Sequence, residues 1–158
     1  NHSFTGMVAR LVVDTSFAAQ GKAILYALCA VYIAVVGLLL LRSRRRDEFA
    51  AIDGSILVIS MLLLSPMTSR YHYILLILPY MTVVGLAVRD SSLRIAAIVT
   101  VVASFIFGTA TSNDLAGRVL TEWSYAHNFL NYSALVPLVF LGYVILRNEV
   151  RQTQPALA

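Results

Sequence analysis

Five long apolar runs, separated by short connections that hold most of the arginines, restrict this chain more than any other feature. A helix needs about 20 apolar residues to cross the hydrocarbon core of a bilayer, and fewer where flanking side chains snorkel. The runs cover residues 22–41, 49–64, 72–88, 95–112 and 132–146, the second and fifth being the shortest. None shows the ten-residue alternation of a membrane β-strand. The sequence therefore predicts an all-α integral membrane protein: one membrane domain over residues 1–158, with about five transmembrane helices. Composition points the same way. The chain is 59% hydrophobic and only 13% charged, with a mean hydropathy of +0.78, whereas a soluble domain carries about 25% charged residues. Lipid is the solvent that suits such a surface.

The charges set an orientation. Arg42, Arg44, Arg45 and Arg46 fall in one connection, Arg89 and Arg94 in another, and Arg147 and Arg151 in the C-terminal tail. An odd number of spans puts all three on one side, and an excess of basic residues marks that side as cytoplasmic. Only Arg10, Lys22, Arg70 and Arg118 are left for the other side. The expected topology is a multi-pass protein of the cytoplasmic membrane, N-terminal segment outside and C-terminus inside. The net charge of +4 does not signal nucleic acid, because the arginines separate apolar runs and form no stripe with interleaved aromatics. Cys29, the single cysteine, lies inside an apolar run and reads as a small packing residue. The sequence opens on Asn1-His2-Ser3, without Met or a signal peptide. It is expected to be the C-terminal half of a longer polytopic protein.

Three segments collect on the outer side: residues 1–21, 65–71 and the loop 113–131. Residues 4–19 are too polar to span, but Phe4, Met7, Val8, Leu11 and Val12 recur at helical spacing. This is the pattern of a helix lying in the interface plane, with Ser3 placed to cap it.

The most informative stretch is Ser65-Pro66-Met67-Thr68-Ser69-Arg70-Tyr71-His72-Tyr73, followed by Pro79. Arg70 and His72 stand where the third span begins, beside free backbone N–H groups. Together these make a site suited to phosphate; the structural alternative is an aromatic belt with a snorkelling arginine. Pro79 is expected to kink the third span. Asp53 in the second span is either an ion-coupling carboxylate or a complement to the helix dipole. Glu122, Trp123, Tyr125 and His127 line a sugar site or anchor an interfacial loop. Gly37, Gly85 and Gly108 permit close helix contacts, though none forms a GxxxG pair.

The order of these motifs resembles one family. An Asn-x-Ser opening an interfacial helix with a later Arg (Asn1-His2-Ser3, Arg10), then a Ser-Pro loop leading to a His-aromatic pair and a proline-bearing span (Ser65-Pro66, His72-Tyr73, Pro79), is similar to the bacterial polytopic mannosyltransferases of glycosyltransferase family 87, in the GT-C class. The likeness covers nearly the whole chain but only the C-terminal half of a typical member. It implies transfer of a sugar, mannose in that family, from a polyprenyl-phosphate donor to a lipid or glycan acceptor on the outer face of the cytoplasmic membrane. It implies that Arg70 and His72 bind the donor phosphate, and that Asn1, Ser3, Arg10, Ser65 and Tyr71 shape the donor pocket. In such enzymes a carboxylate in the first outer loop acts as general base. No residue here occupies that position, Asp14, Asp114 and Glu122 included, so this half is expected to be inactive alone. No cofactor is implied, and a divalent metal requirement is left open. The implied partners are the lipid-linked donor, the acceptor and membrane lipids. Two rivals stand beside this reading: a transporter or flippase segment coupled through Asp53, and a polymerase or ligase of surface polysaccharide.

Overall fold

The computed structural model describes residues 3, 6–8, 20–43, 49–65 and 69–153, the side chains of Arg70 and of residues 149–153 lying outside that description. Helix α1 covers Gly21–Ser43 and α2 Ala50–Leu64. A 3₁₀ stretch, Arg70–Leu76, runs directly into α3, Ile77–Arg89. The turn Ser91–Leu93 leads into α4, Arg94–Thr109; α5 is Asn113–Ala126 and α6 Phe129–Thr153. Among the described residues there is no strand.

The protein is an all-α membrane protein. Among the described residues four stretches are long and apolar enough to cross a membrane: Gly21–Ser43, Tyr71–Arg89, Ser91–Thr109 and Phe129–Asn148. The fifth apolar run is the helix α2, but it has only 15 residues. At 1.5 Å per residue it is about 22 Å long, short of a hydrocarbon core of about 30 Å. Its position explains why that length is tolerated. Ile52, Ile56, Ile59, Leu62 and Leu63 are all buried, and α2 packs against α1, α3 and α6 at once. Protein, more than lipid, surrounds it.

The outer helices show how an apolar sequence chooses an inner face. In α1 the buried residues are Tyr32, Val36, Leu39 and Ser43, and in α4 they are Ala97, Thr100 and Ser104. Each set follows a spacing of three and four, one stripe of a helix. The opposite faces carry large apolar side chains outward, among them Val31, Leu38, Met81, Val88, Ile95 and Phe105. An exposed apolar belt of this extent is a liability in water and a match for lipid.

Hydroxyl groups join the helices. Tyr32 and Ser60 are 2.9 Å apart between α1 and α2, Ser55 and Thr82 2.8 Å between α2 and α3, and Tyr80 and Ser104 2.7 Å between α3 and α4. Such bonds between helices in a membrane contribute about 0.6 kcal/mol each, and up to about 1.7. Pro137 inside α6 leaves the carbonyl of Ser133 without its usual amide partner four residues on. The Ser104 hydroxyl of α4 donates to that carbonyl instead, so a helix interior with a proline is completed by its neighbour.

Pro79 sits in the first turn of α3, immediately after the 3₁₀ stretch, where a missing N–H is tolerated and the span changes helix type. One expectation is corrected here. The close approach between helices is at Gly142 rather than at the three glycines named above. A Cβ there would meet Leu39 Cδ1 at 3.3 Å, while Gly37 and Gly85 have nothing within 4 Å and Gly108 only an ordinary contact with Ser133. Of the expected interfacial helix 4–19, Gly6–Val8 are helical, the Met7 amide donates to the Ser3 carbonyl at 2.9 Å, and Ser3 and Val8 are buried. That fits Ser3 at the helix start; the other residues of the segment, Asn1 and Arg10 among the named ones, lie outside the described residues.

Candidate functional site

The chain alternates direction, so the bundle has two distinct ends. Arg42, Arg89, Arg94 and Arg147 stand at one. At the other the 3₁₀ stretch begins, α4 ends, α5 connects, and α6 starts.

The 3₁₀ stretch starts at a reciprocal cap. The His72 backbone N–H is satisfied at Ser69, while the Ser69 amide donates to His72 Nδ1 at 3.0 Å and the Ser69 hydroxyl lies 2.9 Å from the same nitrogen. This is the Ser-x-x-Glu/Gln capping box with an imidazole in the carboxylate's place. An amide can only donate, so Nδ1 is an acceptor and the ring proton sits on Nε2. His72 is exposed at the surface and presents that Nε2–H as a donor held in a fixed direction.

Next to it opens a polar cleft of about 310 Å³. Tyr71, Tyr73, Leu76 and Tyr80 form one wall, Gly108, Thr111, Ser112 and Asp114 another, and Leu130 and Ser133 of α6 a third. Its walls are tied down from behind. The Tyr73 hydroxyl donates to Asn131 Oδ1 at 2.9 Å, Tyr80 pairs with Ser104, and Ser104 donates to the Ser133 carbonyl. The Thr111 hydroxyl donates to the Gly108 carbonyl at 2.6 Å. Behind this wall Asn131 Nδ2 and Thr121 Oγ1 are buried donors with no partner among the described residues.

Residues 113–131, expected to be a loop, are mostly the helix α5 and the start of α6. Helix α5 is amphipathic the opposite way round from a soluble helix. Thr121 and Ser124 are buried, and Ser124 donates to the Ala110 carbonyl at 2.8 Å. Leu115, Val119 and Trp123 point outward, as suits a helix in the membrane interface. It is broken at Gly117, whose φ of 74° and ψ of 164° are open to glycine but strained for other residues. Asn128, at φ 61°, turns the chain back into α6. Around this turn Trp123, Phe129, Phe107 and Tyr132 form an edge-to-face chain with ring centroids 5.1–5.7 Å apart. Aromatic rings gather where a bilayer meets water, and this cluster sets the cleft at that level.

Of the residues named from the sequence, Tyr71 lines the cleft; His72, between the lining residues Tyr71 and Tyr73 in the chain, is exposed and is not part of the lining. Ser65 does not line it; its amide closes α2 by donating to Met61. Ser3 is buried outside the lining, and Asn1, Arg10 and the Arg70 side chain lie outside the described residues. Glu122 is paired with Arg118 at 2.8 Å on an exposed face, and His127 Nδ1 is 2.8 Å from the Trp123 carbonyl with its ring stacked on the indole. Both contacts are local to α5. Asp53 lies in the first turn of α2 and accepts from the Ser43 hydroxyl at the end of α1; the dipole-complementing role fits that place. Tyr73, Tyr80, Thr111, Asp114 and Ser133 were not named as site residues. Tyr73, Leu76 and Tyr80 repeat at three and seven residues, a signal that two tyrosines share one helix face. The convergence of Asp114 and Ser133 on that face had no local signal.

Comparison with family models, with curated proteins and with solved structures finds no match for this chain.

Proposed function

We propose that the chain is the C-terminal membrane half of a glycosyltransferase that takes a sugar, mannose in the family it resembles, from a polyprenyl-phosphate donor. The acceptor is a lipid or glycan at the outer face of the cytoplasmic membrane. The observation that carries this reading is the polar, tyrosine-lined cleft at the interfacial level, opening beside a fixed His72 donor at the end opposite Arg42, Arg89, Arg94 and Arg147. The excess of arginine at that end supports a cytoplasmic assignment for it, and with it a cleft at the outer side. An apolar groove of about 620 Å³ lies between α4 and α6, and its lining residues Phe107 and Tyr132 are the chain neighbours of the cleft residues Gly108 and Ser133. A lipid-linked substrate has a polar head and an apolar chain, and this pair of spaces fits such a molecule.

In this reading Arg70 and His72 hold the donor phosphate and Tyr71 shapes the pocket beside it, with Asn1 and Arg10 assigned there by the resemblance alone; Ser3 and Ser65, which stand outside the cleft lining, drop out of the pocket. An acceptor hydroxyl attacks the anomeric carbon, the bond from that carbon to the phosphate oxygen breaks, and lipid phosphate leaves. Negative charge grows on the phosphate as it leaves, so donors already in position lower the barrier without reorganisation. His72 serves through its Nε2–H, since its other nitrogen is engaged by the cap. The general base that takes the hydroxyl proton belongs, by the resemblance, to the N-terminal half of such enzymes. The test is transfer of labelled sugar from polyprenyl-phosphate mannose and polyprenyl-phosphate glucose by membranes carrying the full-length protein. Transfer no greater than that of control membranes, with both donors, sinks the reading.

A further inference from the structure

Among the described residues that line the cleft, Asp114 is the one charged group. Its carboxylate has no hydrogen-bond or ion-pair partner among the described residues. A carboxylate in the first turn of a helix ordinarily complements the helix dipole. That account is weak at Asp114, because Gly117 breaks α5 after a single turn and few peptide dipoles are aligned behind the carboxylate. The cleft is also lined by Tyr80, Thr111 and Ser133, whose hydroxyls are held by Ser104 and by the Gly108 and Leu130 carbonyls and keep oxygen lone pairs as acceptors, and by Tyr71, which is 73% exposed. An aromatic face, several hydroxyls and one carboxylate are the groups that recognise a ring with apolar C–H faces and many O–H donors. The volume of about 310 Å³ is at the small end for ligand pockets, about 300–1,000 Å³. It suits a sugar ring and not a whole lipid-linked donor. The fixed negative charge also speaks against phosphate inside the cleft, which leaves phosphate to the His72 side.

We propose that the cleft binds a neutral pyranose ring and that Asp114 sets its specificity. The carboxylate accepts hydrogen bonds from ring hydroxyls, Tyr71 stacks on the C–H face, and acidic sugars are barred because their carboxylate would meet Asp114. The proposal rests on the glycosyl-transfer reading for its ligand class, but its test does not require transfer. Uncharged methyl mannoside and methyl glucoside, and negatively charged methyl glucuronide, are titrated into the full-length protein in detergent and followed by saturation-transfer NMR. Expected is millimolar binding of a neutral glycoside by the wild type and at least tenfold weaker binding of the glucuronide. Asp114→Asn should weaken the neutral glycoside roughly tenfold, since it removes a charged acceptor, and should narrow the gap to the glucuronide. Glu122→Gln, an exposed change on the same helix, should alter neither and reports on folding. Equal binding of neutral and acidic sugars, no change in Asp114→Asn, or no binding of either neutral glycoside overturns the proposal. Selective binding without transfer would leave the cleft assignment standing and remove the transferase reading. Transfer with unselective binding would do the reverse.

Discussion

At the end of the bundle where α1 meets α2, polar side chains are turned on one another. Ser43 donates to Asp53 across the connection, Asp90 accepts from the Ser92 amide at 2.9 Å, and Arg147 Nη2 reaches Ser92 Oγ at 2.8 Å. At the opposite end exposed local bonds such as Arg118–Glu122 and Ser69–His72 are joined by bonds behind the surface, Tyr73–Asn131 and Tyr80–Ser104–Ser133, which brace the walls of a cleft. His72 and Asp114 are left facing out of that scaffold. Both ends are polar, but among the described residues the cleft lined by several hydroxyls and a carboxylate is at the second, while the space beside Arg94 at the first is otherwise lined by apolar side chains. The difference teaches that a charge at the edge of a membrane helix is informative through its partners, not through its presence.

The largest expected effect separates the two roles of His72. Glutamate is the usual residue at this position of a capping box, so His72→Glu should preserve the start of the 3₁₀ stretch while placing a negative charge where the donor phosphate is proposed to sit. Transfer should fall on the order of a hundredfold or more with little change in the melting temperature. His72→Ala should lose both activity and about 1 kcal/mol of cap stability. If His72→Glu keeps wild-type transfer, His72 is a cap and nothing else, and the contrast between the two ends loses its chemical half.

Next in size is Ser104→Ala, which touches the scaffold behind the cleft. It removes the partner of Tyr80 and the donor that completes the Ser133 carbonyl freed by Pro137. A buried carbonyl left unpaired costs about 1–3 kcal/mol, read as a lower midpoint in thermal or denaturant unfolding in detergent. Restoring an amide with Ser104→Ala/Pro137→Ala should recover much of the loss. No recovery would mean that the proline and the serine are independent. Gly117→Ala follows, since its backbone angles are strained for a residue with a Cβ; about 1–2 kcal/mol is expected. The same denaturation measurement reports it.

Much of this arrangement was legible in the sequence, and its limits have physical causes. The apolar runs identified five of the six α-helices of the described residues, because length and hydropathy are local properties. They did not show that the shortest, α2, is a centre of the bundle. A helix that is apolar all round carries no label for its buried face, and in α1 only Tyr32 and Ser43 mark it. The Ser69–Tyr73 stretch was legible as a polar turn at a helix start, but the imidazole's part in the cap depends on a rotamer. Helix α5 was read as a loop because its buried side is made of hydroxyls and its outward side of Leu115, Val119 and Trp123, the reverse of the pattern a soluble helix shows. Asp114 and Ser133 come from separate helices and meet Tyr80 of a third. No spacing within one segment encodes that.

The smallest expected effect is at Asp53, and it tests the quiet end of the molecule. A coupling carboxylate in a transporter changes charge or partner during each cycle, so its amide variant should abolish movement of substrate. Asp53 instead sits in the first turn of α2 and accepts a hydrogen bond from Ser43. An asparagine keeps an acceptor oxygen for that hydroxyl and gives up only the favourable interaction with the helix dipole, about 0.3–1 kcal/mol. Asp53→Asn should therefore lower the unfolding midpoint slightly and leave glycosyl transfer within about twofold of wild type. Loss of transfer would mean that the arginine-bearing end communicates with the cleft through α2. Loss of a transport activity in vesicles, with transfer absent from the wild type, would hand the molecule to the transporter class and make Asp53, not His72, its working residue.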